Sequence, residues 1–291
     1  LLRGETLALP RPQRIYRTEA IVLRRQDLGE TDRVLTLYTP SRGKVRAIAK
    51  GIRKPTSRKA GHLELFTRVD VLIAVGRTFD IITQAQMLDA FQPLRTDLVR
   101  ATYAAHFVEL LDAFTGEEDI SPEMYGLIVS GLTWLSITED LQRTARYYEL
   151  KLLEMAGYRP ELFTCVVCGD KLQPVDQFYN VELGGVVCPK CGYERGSARP
   201  LSLKALKVLR YLQTRPFEVV EQVRLSAPVH RETERLLFQT LTYHLERRLK
   251  SASFLERLRR EWKALPRSAG TADPGEELGD DEEATEVTSP D

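Results

Sequence analysis

Four cysteines constrain this chain more than any other feature. They stand as Cys165-Val-Val-Cys168-Gly169 and Cys188-Pro-Lys-Cys191-Gly192, with 19 residues between Cys168 and Cys188, and there are no others. Two C-x-x-C pairs at this separation bring four thiolates to one tetrahedral point, the ligand set of a structural zinc ribbon. The glycine behind each pair permits the tight turn that aims both sulfurs inward. Between the pairs, Gln177 to Leu183, then Gly184-Gly185 and Val186-Val187, has the pattern of a short hairpin that carries the second pair back. Four sulfur ligands leave no open position, so one zinc ion here organises the fold and does not catalyse. Two other uses of the cysteines compete, a disulfide framework and a thioredoxin-like redox pair. A long chain with no secretory signal builds an ordinary core without bridges. A redox site normally uses one C-x-x-C beside a βαβ pattern, whereas this chain has two pairs and no such pattern.

The formal net charge of +1 conceals a separation of sign. Ser41 to Lys59 holds Arg42, Lys44, Arg46, Lys50, Arg53, Lys54, Arg58 and Lys59 with no acid, eight positive charges in 19 residues. Gly270 to Asp291 holds nine acids and no base. Soluble surfaces usually mix signs, so the basic stretch points to a polyanion, and phosphates are the natural target; the competing reading is a merely solvated loop. At 43% hydrophobic and 29% charged residues, with no apolar run of about 18 residues, the chain reads as soluble, cytoplasmic and without a membrane partner.

The order of patterns gives an α+β architecture. Residues 1–15 read as a disordered lead. From 16 to 90, five β-rich runs are expected: Thr18 to Arg25, Arg33 to Tyr38, Lys44 to Lys50, Leu65 to Val75 and Phe79 to Leu88. Gly76-Arg77 reads as a tight hairpin turn, and the basic segment leaves the third strand as a mobile loop. Five strands with one long central loop fit an OB-fold barrel, whose usual ligands are oligonucleotides. On the third strand, alternation sets Lys44 and Arg46 on one face and Val45, Ala47 and Ala49 on the other.

From 91 to 160 the period shifts to helical. Asp97 caps a helix through Phe114, packed through Ala101, Ala104, Ala105, Val108, Leu111 and Phe114. Ser121-Pro122-Glu123 opens a second helix to Ser136, and Asp140 to Met155 makes a third. Tyr103, Phe107, Trp134, Tyr147 and Tyr148 belong to the core of this bundle, with His106 packed or capping among them. The ribbon occupies 161–199, and the helices return over 200–265, from Pro200 to Thr214 and from Arg231 to Lys250. Cations from Arg247 to Lys263 either extend the phosphate-facing surface or answer helix dipoles. Residues 266–291 are too polar to order, and this acidic tail is placed to compete with DNA for the basic loop.

No P-loop, G-x-G-x-x-G, H-E-x-x-H or G-x-S-x-G occurs, and His62, His106, His230 and His244 are scattered, so nothing marks an enzyme. A zinc-ribbon adaptor that binds acidic proteins is the alternative to a DNA-binding protein.

Gly29-Glu-Thr-Asp-Arg33-Val-Leu-Thr-Leu-Tyr38-Thr39, then Gly43-Lys44 and Ala49-Lys50-Gly51 with Arg53, Lys54 and Ser57, resembles the amino-terminal signature of the RecO family of bacterial DNA repair and recombination mediators. The order of barrel, helical bundle, four-cysteine ribbon and returning helices is similar too, over about Tyr16 to Trp262. The lead and the acidic tail are not family features. The resemblance implies an OB-fold that binds single- and double-stranded DNA and anneals complementary strands. It also implies partnership with RecR, in some members RecF, and the carboxyl-terminal tail of single-strand DNA-binding protein, in loading RecA, with no nucleotide hydrolysis. Carried onto this chain, Arg33, Lys44, Arg46, Lys50, Arg53 and Lys54 contact phosphates, Arg42, Arg58 and Lys59 extend that surface, and Tyr38 or Phe79 stacks on bases.

Overall fold

The computed structural model describes residues 14–117, 119–193 and 197–245, all within one compact unit. The lead up to residue 13, the cations from Arg247 to Lys263 and the acidic tail lie outside the described residues. Strands β1 (Ile15–Leu28), β2 (Asp32–Thr39), β3 (Gly43–Ala49), β4 (Arg68–Ala74) and β5 (Asp80–Asp89) close into a barrel in the order β1-β2-β3-β5-β4. All pairs are antiparallel except β3 with β5, which meet in parallel only at Ala47↔Asp80 and Ile48↔Ile81. This is the five-stranded OB-fold barrel the sequence implies. Strand β1 starts at Ile15, inside the stretch read as the lead, because its first half pairs with β4 from Ile15↔Ala74 to Ile21↔Arg68.

The run Ala20 to Leu23 is buried throughout because β1 is covered on both faces. Ala20 and Val22 point into the barrel with Leu35, Leu37, Ala47, Val71, Ile73 and Ile82. Ile21 and Leu23 point out, with Tyr38, into the core of the helices. The barrel and the bundle therefore share apolar side chains.

Two expectations about the barrel's loops are corrected. Residues 50–67 form a succession of turns and not a free loop: Ile52 and Leu63 are inserted into the barrel core. The Gly51 amide donates to Asp32 Oδ1 at 2.7 Å and the Arg53 amide to the Thr31 carbonyl at 2.9 Å. Two buried aliphatics outweigh the solvation of the bases around them. The β4–β5 connection is likewise longer than a Gly-Arg pair, running from Val75 to Phe79, with the Gly76 amide held by Asp80 Oδ1.

Helix α1 (Pro93–Thr96) leads into α2 (Leu98–Phe114), α3 (Pro122–Ile137) and α4 (Leu141–Met155). Asp97 accepts from the Val99 and Arg100 amides, Ser121 from Met124 and Asp140 from Arg143, so each long helix begins at its sequence cap. α2 is buried on more than the one stripe expected. Tyr103, His106, Phe107 and Leu110 join Ala104, Val108 and Leu111 inside, because the barrel, α3 and α4 all pack on it. Phe107 and Tyr148 stack at 3.8 Å. Glu149 Oε1 accepts from His106 Nε2 at 2.8 Å and from the Arg146 guanidinium at 2.6 Å. The bundle core thus contains an ion cluster that periodicity does not reveal.

The ribbon carries β6 (Gln177–Asn180) and β7 (Gly185–Val187), the expected hairpin, and the turn α5 (Pro189–Gly192). A third strand, β8 (Arg199–Leu201), pairs with β6 where the sequence suggests that a helix begins. Helix α6 (Leu203–Thr214) follows, capped by Ser202, then α7 (Phe217–Val220) and α8 (Ala227–Leu245). The ribbon is joined to the bundle: Tyr179, Val186 and Leu201 lie in the helical core, and Arg210 Nε donates to the Leu162 carbonyl at 2.7 Å.

Candidate nucleic-acid interface and metal centre

Register across three strands places cations on the barrel's outer face. Arg24 of β1 lies opposite Thr36 of β2, which lies opposite Arg46 of β3, so two arginines stand about 10 Å apart on one row. Both line a cleft of about 560 Å³ together with Arg25, Lys44, Asp112 and Glu117. The sequence reading missed Arg24, since it followed the acid-free stretch beyond Ser41. A base opposite Arg46 across a short strand is visible only once register is known. Arg24 also pairs with Asp112 while remaining largely exposed.

The basic residues named from the sequence divide into two groups. Arg42, Arg46, Lys50, Lys54 and Arg58 are exposed and make no ion pair among the described residues. The others are engaged within the protein. Arg33 Nε donates to Asp27 Oδ1 at 2.7 Å, and Arg53 approaches Asp27 Oδ2 at 3.5 Å. The arginines hold the Asp27 carboxyl below its ordinary value, the hydrogen bond from Arg33 being the main cause. Lys59 donates to the Ile82 carbonyl at 3.1 Å, and burial lowers its pKa.

Lys44 is a correction to the phosphate-contact reading. Its ammonium reaches Asp112 Oδ1 at 2.9 Å and the carbonyls of Asp112 and Thr115 at 2.8 and 2.7 Å, with the side chain only 12% exposed. A cation at the carbonyl end of α2 is satisfied by acceptors and the helix dipole together, and has no donor left for DNA. Tyr38 is a second correction, because it is fully buried among the bundle residues and presents no face to a base. Its ring is drawn inward because β2 is sandwiched between the barrel interior and the helices. Phe79 remains half-buried at the end of the β4–β5 connection, with the Arg46 guanidinium 5.5 Å from its ring.

The segment after α2 confines this surface. Glu117 forms an isolated parallel bridge with Lys44, alongside the part of β3 that β5 does not reach. Gly43 has φ +59°, and Asp119 backbone packs so closely on it that a side chain there would clash.

The four cysteines converge in the ribbon between α4 and α6. Their Sγ atoms all lie within 4.8 Å of one another, and none is in a disulfide. Cys168 and Cys188 stand 3.9 Å apart. That matches the edge, about 3.8 Å, of a tetrahedron with metal–sulfur bonds of ~2.3 Å. It is far beyond the ~2.05 Å of a covalent bridge. Burial opposes ionisation of Cys165, but amide donors from Cys188, Cys168 and Val167 outweigh it and bring the thiol down to about 6. The neighbouring Cys188, then burial, pushes Cys191 up to about 12. Four thiols gathered so closely resist ionising together unless a cation neutralises them, which fits a metal site. Gly169 adopts φ +78°, the turn expected behind the first pair. Gly192 has another reason, for a side chain there would run into the Phe178 ring.

No helix among the described residues is long and apolar enough to cross a membrane. The family description "Recombination protein O N terminal" matches residues 14–91, and "Recombination protein O C terminal" matches residues 95–253. The chain is similar to the DNA repair protein RecO of Roseiflexus sp., 41% identical over 260 residues that cover 89% of this chain and 92% of that protein. It is also similar to DNA repair protein RecO of Dehalococcoides mccartyi, 34% identical over 245 residues, 84% and 96% of the two chains. A third similarity is to DNA repair protein RecO of Symbiobacterium thermophilum, 37% identical over 250 residues, 84% and 98%.

Proposed function

The chain belongs to the RecO family of DNA repair proteins, and on that premise we propose that it is a recombination mediator that binds single- and double-stranded DNA through the outer face of its barrel and anneals complementary strands. The observation that carries this reading is the group Arg42, Arg46, Lys50, Lys54 and Arg58, exposed and without ion pairs among the described residues, on strand β3 and the turns on either side of it. Arg24 joins them across β2. Such a surface binds backbones by displacing their counterions and reads no sequence, which suits annealing, because the strands supply their own complementarity. The mediator acts by binding and not by catalysis. Its partners are RecR, RecF in some settings, and the acidic carboxyl-terminal tail of single-strand DNA-binding protein, and the outcome is RecA loaded onto DNA. Family membership is the support for these partners.

The metal is zinc, one ion held by Cys165, Cys168, Cys188 and Cys191. Four thiolates suit its tetrahedral preference and leave it no open position, so its contribution is to join the two halves of the ribbon. Through Tyr179, Val186 and Leu201 the ribbon in turn supports the helical core.

The test is the quadruple variant Arg46→Ala, Lys50→Ala, Lys54→Ala, Arg58→Ala, titrated with a single-stranded oligonucleotide at several salt concentrations. The magnitude of the slope of log affinity against log salt is expected to fall by about three units, at ~0.7 for each phosphate no longer neutralised. A slope equal to that of the unmodified protein refutes the barrel-face site.

A further inference from the structure

Two clefts flank Arg46 on the barrel's outer face. One, of about 560 Å³, is also lined by Arg24 and Arg25, and the other, of about 350 Å³, by Arg42. Three carboxylates stand on their walls, and two of these are committed within the protein. Asp112 is paired with Lys44 and Arg24, while Asp80 accepts from the Tyr16 hydroxyl at 3.0 Å and from the Gly76 amide at 3.2 Å. The third, Glu117, lines both clefts. It is exposed, and its carboxylate has no ion pair or hydrogen bond among the described residues.

The fold fixes Glu117 in that position. Its backbone bridges to Lys44 of β3, the Gly116 amide before it donates to Asp119 Oδ2 at 2.7 Å, and the Asp119 backbone rests against Gly43. The connection between α2 and α3 is therefore fastened along the part of β3 that β5 leaves unpaired. A committed carboxylate has its charge answered within about 4 Å, whereas an uncommitted one acts on whatever enters the cleft. A phosphate drawn in by the arginines meets that repulsion in either cleft, and so does a backbone that crosses from one cleft to the other over Arg46. At a separation of ~6 Å and the dielectric of a protein surface, one carboxylate weakens the hold on a phosphate by about three- to ten-fold. Salt screens the effect, since the Debye length falls from ~30 Å at 0.01 M to ~3 Å at 1 M.

We propose that Glu117 limits the affinity of the barrel for nucleic-acid backbones: a fixed negative charge between the two clefts keeps bound strands exchangeable. An annealing surface needs this, because strands held too tightly cannot move against each other to find their register. This rests on the reading of the barrel as a DNA-binding surface and names the residue that sets how firmly that surface holds.

The experiment titrates the full chain and its Glu117→Gln variant with a fluorescent single-stranded oligonucleotide, by anisotropy, from ~0.02 to ~0.3 M salt. Glu117→Gln binds about three- to ten-fold tighter at the lowest salt, and the advantage shrinks below about two-fold at the highest. Glu182→Gln removes the same charge from the turn between β6 and β7 and binds as the unmodified protein does. Glu117→Asp, which keeps the charge, stays close to the unmodified protein, and equal melting temperatures report an intact fold in all three variants. A Glu117→Gln protein that binds no tighter overturns the role of Glu117 while leaving DNA binding in place. So does an equal gain from Glu182→Gln, which assigns the effect to net charge, and so does a gain undiminished at high salt. Failure of the unmodified protein to bind overturns the reading of the barrel itself.

Discussion

Lys44→Met separates stability from DNA binding in this protein. The substitution keeps most of the aliphatic stem and removes the ammonium that ties β3 to the end of α2. Three acceptors lose their donor: Asp112 Oδ1 at 2.9 Å, the Asp112 carbonyl at 2.8 Å and the Thr115 carbonyl at 2.7 Å. A hydrogen bond to a charged group is worth roughly 1.5–3 kcal/mol. Breaking a buried pair costs ~3–5 kcal/mol when the remaining charge is left alone. Here Asp112 retains Arg24, and a carbonyl at a helix end can recruit water, so the lower figure applies. The expected loss is about 3 kcal/mol, with side-chain exposures of 12% and 9% leaving little solvent screening to discount. At ~2–4 °C per kcal/mol for a unit of this size, the melting temperature falls by roughly 6–12 °C. The salt slope of DNA binding stays unchanged, whereas Arg46→Ala lowers its magnitude by ~0.7 with little change in melting. Circular dichroism melts and salt-dependent anisotropy measure both quantities on the same samples. A Lys44→Met protein that melts like the parent but loses ~0.7 in salt slope refutes the strut and restores Lys44 to the DNA surface.

Metal analysis of the purified protein is expected to give one zinc per chain, and chelation to expose the amides of Cys165 to Leu201 to hydrogen exchange before those of β1 to β5; uniform exchange across the chain contradicts a structural metal. Asp140 gives a pH dependence. Burial opposes its ionisation, but His230, the Arg143 amide and the Arg143 guanidinium outweigh it and hold the carboxyl below its ordinary 3.8. A lowered native value stabilises the fold fully above the unfolded pKa, near 3.9, and that stability is lost as pH falls through the native value. Asp140→Asn, which keeps an N-cap, is expected to flatten urea midpoints measured below about pH 4; an identical acid profile removes Asp140 from the account.

Much of this protein is legible in its sequence because the signals are local. Asp97, Ser121 and Asp140 each announce a helix through a side chain that reaches amides two or three residues on, and the structure starts helices at all three. The five strand runs and the two C-x-x-C pairs are equally local, since alternation and cysteine spacing need no knowledge of partners. The third ribbon strand is different: Arg199 to Leu201 is too short to show alternation, and it is a strand because β6 offers it an edge. Strand register, too, lies outside the sequence pattern, and with it the approach of Arg24 to Arg46.

The sequence by itself determined the class of surface and of metal site: a concentration of cations beside a barrel, and four sulfurs with the spacing of a single tetrahedral centre. Tertiary structure decided which cations are free. Lys44, Arg33 and Arg53 meet acceptors carried by Asp112, Thr115 and Asp27, and Tyr38 is drawn into the helical core where β2 packs on α3. Charge composition adds along the chain, but the use of each charge depends on what folding sets within about 4 Å of it, and the acceptors that answer Lys44 come from a helix some 70 residues away.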